Sequence, residues 1–144
     1  IDGEMRLPRF FYGSPTCLCN ISYEQKKTFV IPFLSDADTE DGCVRLEGYY
    51  GVDPLWFSNA RLVDMTTGVT NVIRSAEAGE VRTLNYVEAG LRLEKGRRYR
   101  FLVDHRATRS RTYFTVEVSR PDGKGGRVRL PYYYGDTLGE AVLA

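Results

Sequence analysis

The chain has 144 residues, of which 42% are hydrophobic and 27% charged. That suits one globular domain with its own core and excludes a disordered segment or two comfortable domains. No apolar run approaches the ~20 residues a membrane helix needs. A formal net charge of +1 conceals an asymmetry: residues 91–129 carry twelve Lys and Arg against four acids, and residues 1–90 carry eight against thirteen. Such a layout speaks of partners rather than of fold. The chain opens on Ile1 rather than Met, which reads as a processed or excised chain. With the Asn-Ile-Ser sequon at Asn20, it sets the expectation of an extracellular or surface-exposed home.

Period-two alternation dominates, and no window of twelve or more residues shows helical period. Early strands are expected near residues 9–12, 17–23 and 26–34. In "TCLCN", Cys17 and Cys19 share one strand face with Ile21 and Tyr23. They read either as small buried hydrophobes or as partners in a disulfide from Cys43 to Cys17 or Cys19. "TFVIPFL" is apolar on both faces, and Pro32 within it points to an edge or a bulge. Further strands are expected near 43–50, 60–65, 69–74 and 81–87, with "DMTTGVT" a hairpin turning at Gly68. "EAG", "EKG" and "PDGKGG" are further breaks.

The last strands alternate most cleanly. "RRYRFLVD" sets Tyr99, Phe101 and Val103 against Arg98, Arg100 and Asp104. "RTYFTVEV" sets Phe114, Val116 and Val118 against Arg111, Tyr113 and Glu117. "RVRLPY" sets Val128 and Leu130 against Arg127 and Arg129. Short strands with turn chemistry between them predict an all-β fold: a single antiparallel β-sandwich of seven to nine strands over residues 1–131, with little or no helix. Residues 132–144 form a tail that could add an edge strand or dock.

Leu93, Gly96 and Tyr99 in "LRLEKGRRYRFLV" open an alternating strand. This stretch resembles the tyrosine corner of fibronectin type III and immunoglobulin-like sandwiches. The resemblance covers about 13 residues and implies that the Tyr99 hydroxyl bonds backbone across the corner before it. It implies a fold and no function.

Three clusters carry what chemistry there is. "SDADTEDG" holds Asp36, Asp38, Glu40 and Asp41. Calcium wants six to eight oxygens, so these acids are a candidate site. They miss the helix-loop-helix pattern, because Gly42 falls one position late and the flanks read as strands; the alternative is a solvated hairpin connection between strands. If the last three strands form a meander, Arg98, Arg100, Arg111, Arg127 and Arg129 gather on one sheet face, with Arg106 and Arg109 beside them. Arginine's planar fork suits carboxylate and phosphate. The alternative is a solvated face with ion pairs to Glu94, Asp104 and Glu117. The third cluster, "GYYGVDPLWFSN", concentrates Tyr49, Tyr50, Asp53 and Trp56, with Asn59 near. Exposed, these would stack on sugar rings and bond hydroxyls; otherwise Trp56 packs in the core.

Catalysis finds little support. The lone histidine, His105, sits in the Arg-rich "DHRATRSR", where nothing marks Ser110 as an activated nucleophile. "GSP" is not a nucleophile elbow and "GKGG" is not a phosphate loop. The expectation is therefore a non-catalytic structural or interaction module without a cofactor. Its partner is expected to be protein, including its own copies, stacked through opposed acidic and basic faces. The alternative is a carbohydrate-binding module assisted by calcium. An anionic surface also suits the arginines, whereas the scarcity of aromatics among them argues against nucleic acid.

Overall fold

A computed structural model describes residues 4–6, 16–20, 27–48, 53–106 and 111–131. The described residues form eleven strands: β1 (Glu4–Arg6), β2 (Thr16–Asn20), β3 (Lys27–Leu34), β4 (Thr39–Gly48), β5 (Leu55–Asp64), β6 (Thr70–Arg74), β7 (Val81–Thr83), β8 (Asn85–Leu93), β9 (Arg98–Arg106), β10 (Arg111–Pro121) and β11 (Arg127–Arg129). Three of these are only three residues long, which leaves eight of ordinary length, as the alternation predicts. Among the described residues the only helical turn is a single 3-10 turn at Ala76–Ala78, and no helix is long and apolar enough to cross a membrane.

The strands form two sheets. The first runs β1-β3-β9-β5-β6, with β7 also paired to β5; the second runs β11-β10-β4-β8, with β2 also paired to β10. All pairs are antiparallel except β1 with β3. Pro32 lies past the stretch of β3 that β1 pairs, at residues 28–30, so its missing N–H breaks no described ladder bond.

Alternation fills the space between the sheets. Phe29, Ile31 and Phe33 of β3, Phe57 and Leu62 of β5, and Phe101 and Val103 of β9 point inward from the first sheet. Val44 and Leu46 of β4, Leu91 and Leu93 of β8, and Val116 and Val118 of β10 meet them from the second. Each such side chain contributes about 1.5–3 kcal/mol by leaving water. Rings join across the gap: Phe57 stacks on Tyr86 with centroids 4.6 Å apart. At the lateral edge, Arg74 of β6 bonds Glu88 of β8 at 3.2 Å, and the Tyr86 hydroxyl donates to the same carboxylate. Burial and the Glu88 carboxylate hold the Tyr86 hydroxyl protonated well above the usual tyrosine range.

The corner before β9 forms as the resemblance implies. Gly96 takes φ +83°, and the Glu94 N–H donates to the Tyr99 hydroxyl at 2.8 Å. The β5–β6 hairpin also turns at Gly68 as expected.

Four expectations are corrected. β3 and β4 belong to different sheets, so "SDADTEDG" is a crossover between sheets, and its second half is already β4. Gly42 there faces Leu93, whose Cδ1 would lie 2.6 Å from an added Cβ, so the β4–β8 irregularity demands glycine. Gly90, expected to break the chain, lies within β8. Val128, expected in the core beside Leu130, is exposed on the short β11, while Leu130 is buried. Of the two readings of the cysteines, the disulfide does not form: Cys43 is a free thiol. Cys43 opposes Ser119 on β10, whereas Cys17 and Cys19 oppose Phe114 and Thr112. Five or more residues at ~3.3 Å each exceed the reach of a disulfide. The expected strand at 9–12 and the tail 132–144 lie outside the described residues.

Candidate functional site

The arginines expected on one face are divided between two. β9 belongs to the first sheet and β10 and β11 to the second, so no three-strand meander forms. Arg98 and Arg100 lie on the outer face of the first sheet, alternating with buried Tyr99 and Phe101. Arg127 and Arg129 lie on β11; the side chain of Arg111 is outside the described residues.

On the second sheet the charges match within the chain. Arg129 Nε donates to Glu117 at 3.1 Å. Arg127 donates to the Asp41 carboxylate at 3.1 Å and to the Ser119 hydroxyl at 2.9 Å. Arg120 grips both oxygens of Asp36, and its donation holds the Asp36 carboxyl below the usual carboxylate range. Glu40 faces Arg92 at 3.6 Å, and Asp38 accepts the Lys95 N–H at 2.8 Å. The basic third of the sequence thus folds beside the acidic stretch. The four acids that are the candidate calcium site turn to four different partners, and among the described residues no three acidic, histidine or cysteine side chains converge on a metal position.

The outer face of the first sheet is of another kind. Trp56 stands on β5, with Arg82 of β7 opposite on one side and Arg106 of β9 on the other. Both guanidiniums lie over the indole, 5.7 Å and 4.5 Å from its centroid. The ring is therefore neither core nor an open platform: the cations occupy the π-surface on which a sugar would stack. Glu80 accepts Arg106 Nε with both oxygens, at 3.0 and 2.9 Å, and so fixes the guanidinium over the ring. Tyr49 and Tyr50 lie outside the described residues, and Asp53 is half-buried just before β5.

Two residues along, the ladder breaks. The β5–β9 register shifts between Ser58 and Arg61, and Asn59 takes φ +55°, the one left-handed non-glycine among the described residues. That conformation costs of order 1 kcal/mol and aims the Asn59 side chain outward. There Asp104 accepts Asn59 Nδ2 at 3.1 Å, Arg61 Nη1 at 2.9 Å and the Thr28 hydroxyl at 2.8 Å. Burial pushes the Asp104 carboxyl up, but these donors outweigh it and hold it below its ordinary value. Beside this network, the Trp56 Nε1 and the Ser58 Oγ are buried with no hydrogen-bond partner among the described residues. Val30 and Pro32 are buried at outward positions of β3, and Val72 of β6 stands 64% exposed opposite Arg61.

A cleft of about 290 Å³ lies at the end of the sandwich, between the β5–β6 hairpin, β8 and the β9 corner. Its charges are matched too: Arg97 donates to the buried Asp64 at 2.8 Å and pairs with Glu94 at 2.6 Å.

No family model and no curated protein matches this chain. Among solved structures it is similar to the pre-peptidase C-terminal domain of collagenase from Bacillus anthracis. The two are 11% identical, with a TM-score of 0.40, and the likeness covers 81% of this chain and 92% of that one. At that distance the likeness carries no functional argument.

His105 belongs to β9 rather than to a loop. It points inward, fully buried, with its ring stacked on Phe29 at 3.9 Å between centroids. The outer-face residues that sequence reasoning passed over are Ser58, Arg61 and Arg82. No local motif marks them, because only the pairing of β5 with β7 and β9 brings them to Trp56 and Asp104.

Proposed function

We propose that this chain is a non-catalytic binding module that engages a partner protein through the outer face of its first sheet. The observation that carries the reading is the Trp56 cluster. An indole bracketed by two arginines keeps a buried N–H without an acceptor among the described residues, beside a β-bulge whose Asn59 is strained. Left-handed non-glycine residues and bulges concentrate where a side chain must be re-aimed for function. Tryptophan and arginine are the residues that most often anchor an interface. Val72, exposed beside Arg61, adds apolar area to the same face.

A binding role is favoured over catalysis because the lone histidine is packed inside, where it serves no outer-face nucleophile. Stacking of copies through opposed charges loses its support, since the acidic stretch is matched within its own chain.

Peptides selected from a random phage library against the folded chain test the reading. Their affinity is expected to fall about tenfold or more in Arg82→Glu and Val72→Asp. It is expected to be unchanged in Arg45→Glu and Glu117→Lys on the second sheet. The reverse pattern would overturn the assignment of the face. Sedimentation velocity across a range of concentrations shows whether a second copy is the partner.

A further inference from the structure

We infer that the outer face of the first sheet at Trp56 takes an oxyanion: a carboxylate, phosphate or sulfate group of the bound partner. This rests on the binding-face reading above and names the chemistry of what is held there.

Three donors define the site. The Trp56 Nε1 is buried and donates to nothing among the described residues. An indole N–H can only donate, so whatever completes it must be an acceptor. The Ser58 hydroxyl, in a residue only 4% exposed, also has no partner among the described residues. It shares the face of β5 with Trp56 two residues away, a spacing of about 7 Å along a strand. Buried polar groups are rarely left unsatisfied in native proteins, so two on one face mark a place where something binds.

The third donor supplies the charge. Arg61 is matched by Asp104 and Arg106 by Glu80. Arg82 stands over the same indole at 5.7 Å and has no carboxylate among the described residues. A neutral acceptor such as a sugar hydroxyl would satisfy the indole and leave Arg82 unmatched. A cation is excluded because indole N–H and guanidinium only donate. An oxyanion can accept from an indole N–H, a hydroxyl and a guanidinium alike, and its hydrogen bonds to a guanidinium are of the strong, charge-assisted kind.

Trp56 is the only tryptophan of the chain, so ¹⁵N-labelled protein shows a single indole N–H resonance that reports on the site directly. Sodium acetate, phosphate and sulfate are titrated at constant ionic strength against chloride. A saturable shift of the indole resonance is expected with at least one oxyanion and none with chloride. Arg82→Gln should weaken that response about tenfold or more. Ser58→Ala should weaken it several-fold, and Arg45→Gln on the second sheet should leave it intact, with the amide spectra confirming the fold of each variant. A response to phosphate or sulfate alone assigns the group to a phosphorylated or sulfated side chain. A response to acetate assigns it to an acidic side chain or chain terminus. No saturable shift with any oxyanion, or a shift that Arg82→Gln leaves unchanged, overturns the inference. If selected peptides still map to the first sheet in that case, the binding face stands and only the oxyanion falls. If the anion response holds while peptides map elsewhere, the binding-face reading falls instead.

Discussion

The two outer faces of the sandwich are built from similar residues and put them to opposite ends. On the second sheet, arginine meets acid across neighbouring strands in exposed pairs such as Arg129 with Glu117 and Arg92 with Glu40. Such pairs contribute about 0–1 kcal/mol each and keep the sheet wet and soluble. On the first sheet, Asp104 is the half-buried centre of three donors, Trp56 lies under two guanidiniums, and a bulge holds Asn59 in a costly backbone conformation. The difference teaches that charge content does not distinguish a solvated face from the face proposed for recognition. Burial and strain do.

The sharpest way to break this comparison is to delete one carboxylate from each face. Asp104→Ala strands Arg61, Asn59 and Thr28 together and should cost about 2–4 kcal/mol in urea denaturation. A cost under 0.5 kcal/mol would make the first face as loose as the second. Acid probes the same contrast less locally. The carboxyls of Asp104 and Asp64 are pushed up by burial but held below their ordinary range by the donors around them. They release protons more readily folded than unfolded, so their stabilisation is complete above the usual carboxylate range. It drains away as pH falls through the folded values, below about pH 4. Asp104→Asn should flatten that acid limb of a stability–pH curve; an unchanged limb would remove Asp104 from its cause.

A smaller effect is expected at the bulge. Asn59→Ala loses the bond to Asp104 and keeps the strain, for about 1–2 kcal/mol, whereas Asn59→Gly relieves the strain and should stay within about 1 kcal/mol of the original. Equal costs for the two would mean that φ +55° is not strained here. The smallest effect belongs to the second sheet, where Glu117→Ala should change stability by less than about 0.5 kcal/mol. A larger loss would show that this face is more than a solvated surface.

The sequence made some of this legible and not the rest, for reasons particular residues show. Alternation in "RRYRFLVD" gives the two faces of β9 correctly, because a strand with one wet side must alternate. Gly96 and Tyr99 announce their corner, because both the turn and its closing bond are local. Sheet membership is not local. β9 and β10 are consecutive and each alternates cleanly, yet they enter different sheets, which divides the five arginines that a meander would have gathered. The acidic stretch misleads likewise, because Arg120 and Arg127, its partners, lie about eighty residues away. Trp56 was visible as a candidate, but its covering arginines come from strands on either side of β5 and reach it only through tertiary pairing.

The most direct test of the contrast between the faces is an amide cross-saturation map of ¹⁵N-labelled chain bound to an unlabelled selected peptide. The affected amides are expected on β5 and β9 around Trp56, Arg61, Leu102 and Asp104, with those of Arg45, Glu117 and Arg129 untouched. Saturation centred on Glu117 and Arg45 instead would contradict it, and would make the second sheet the recognition face.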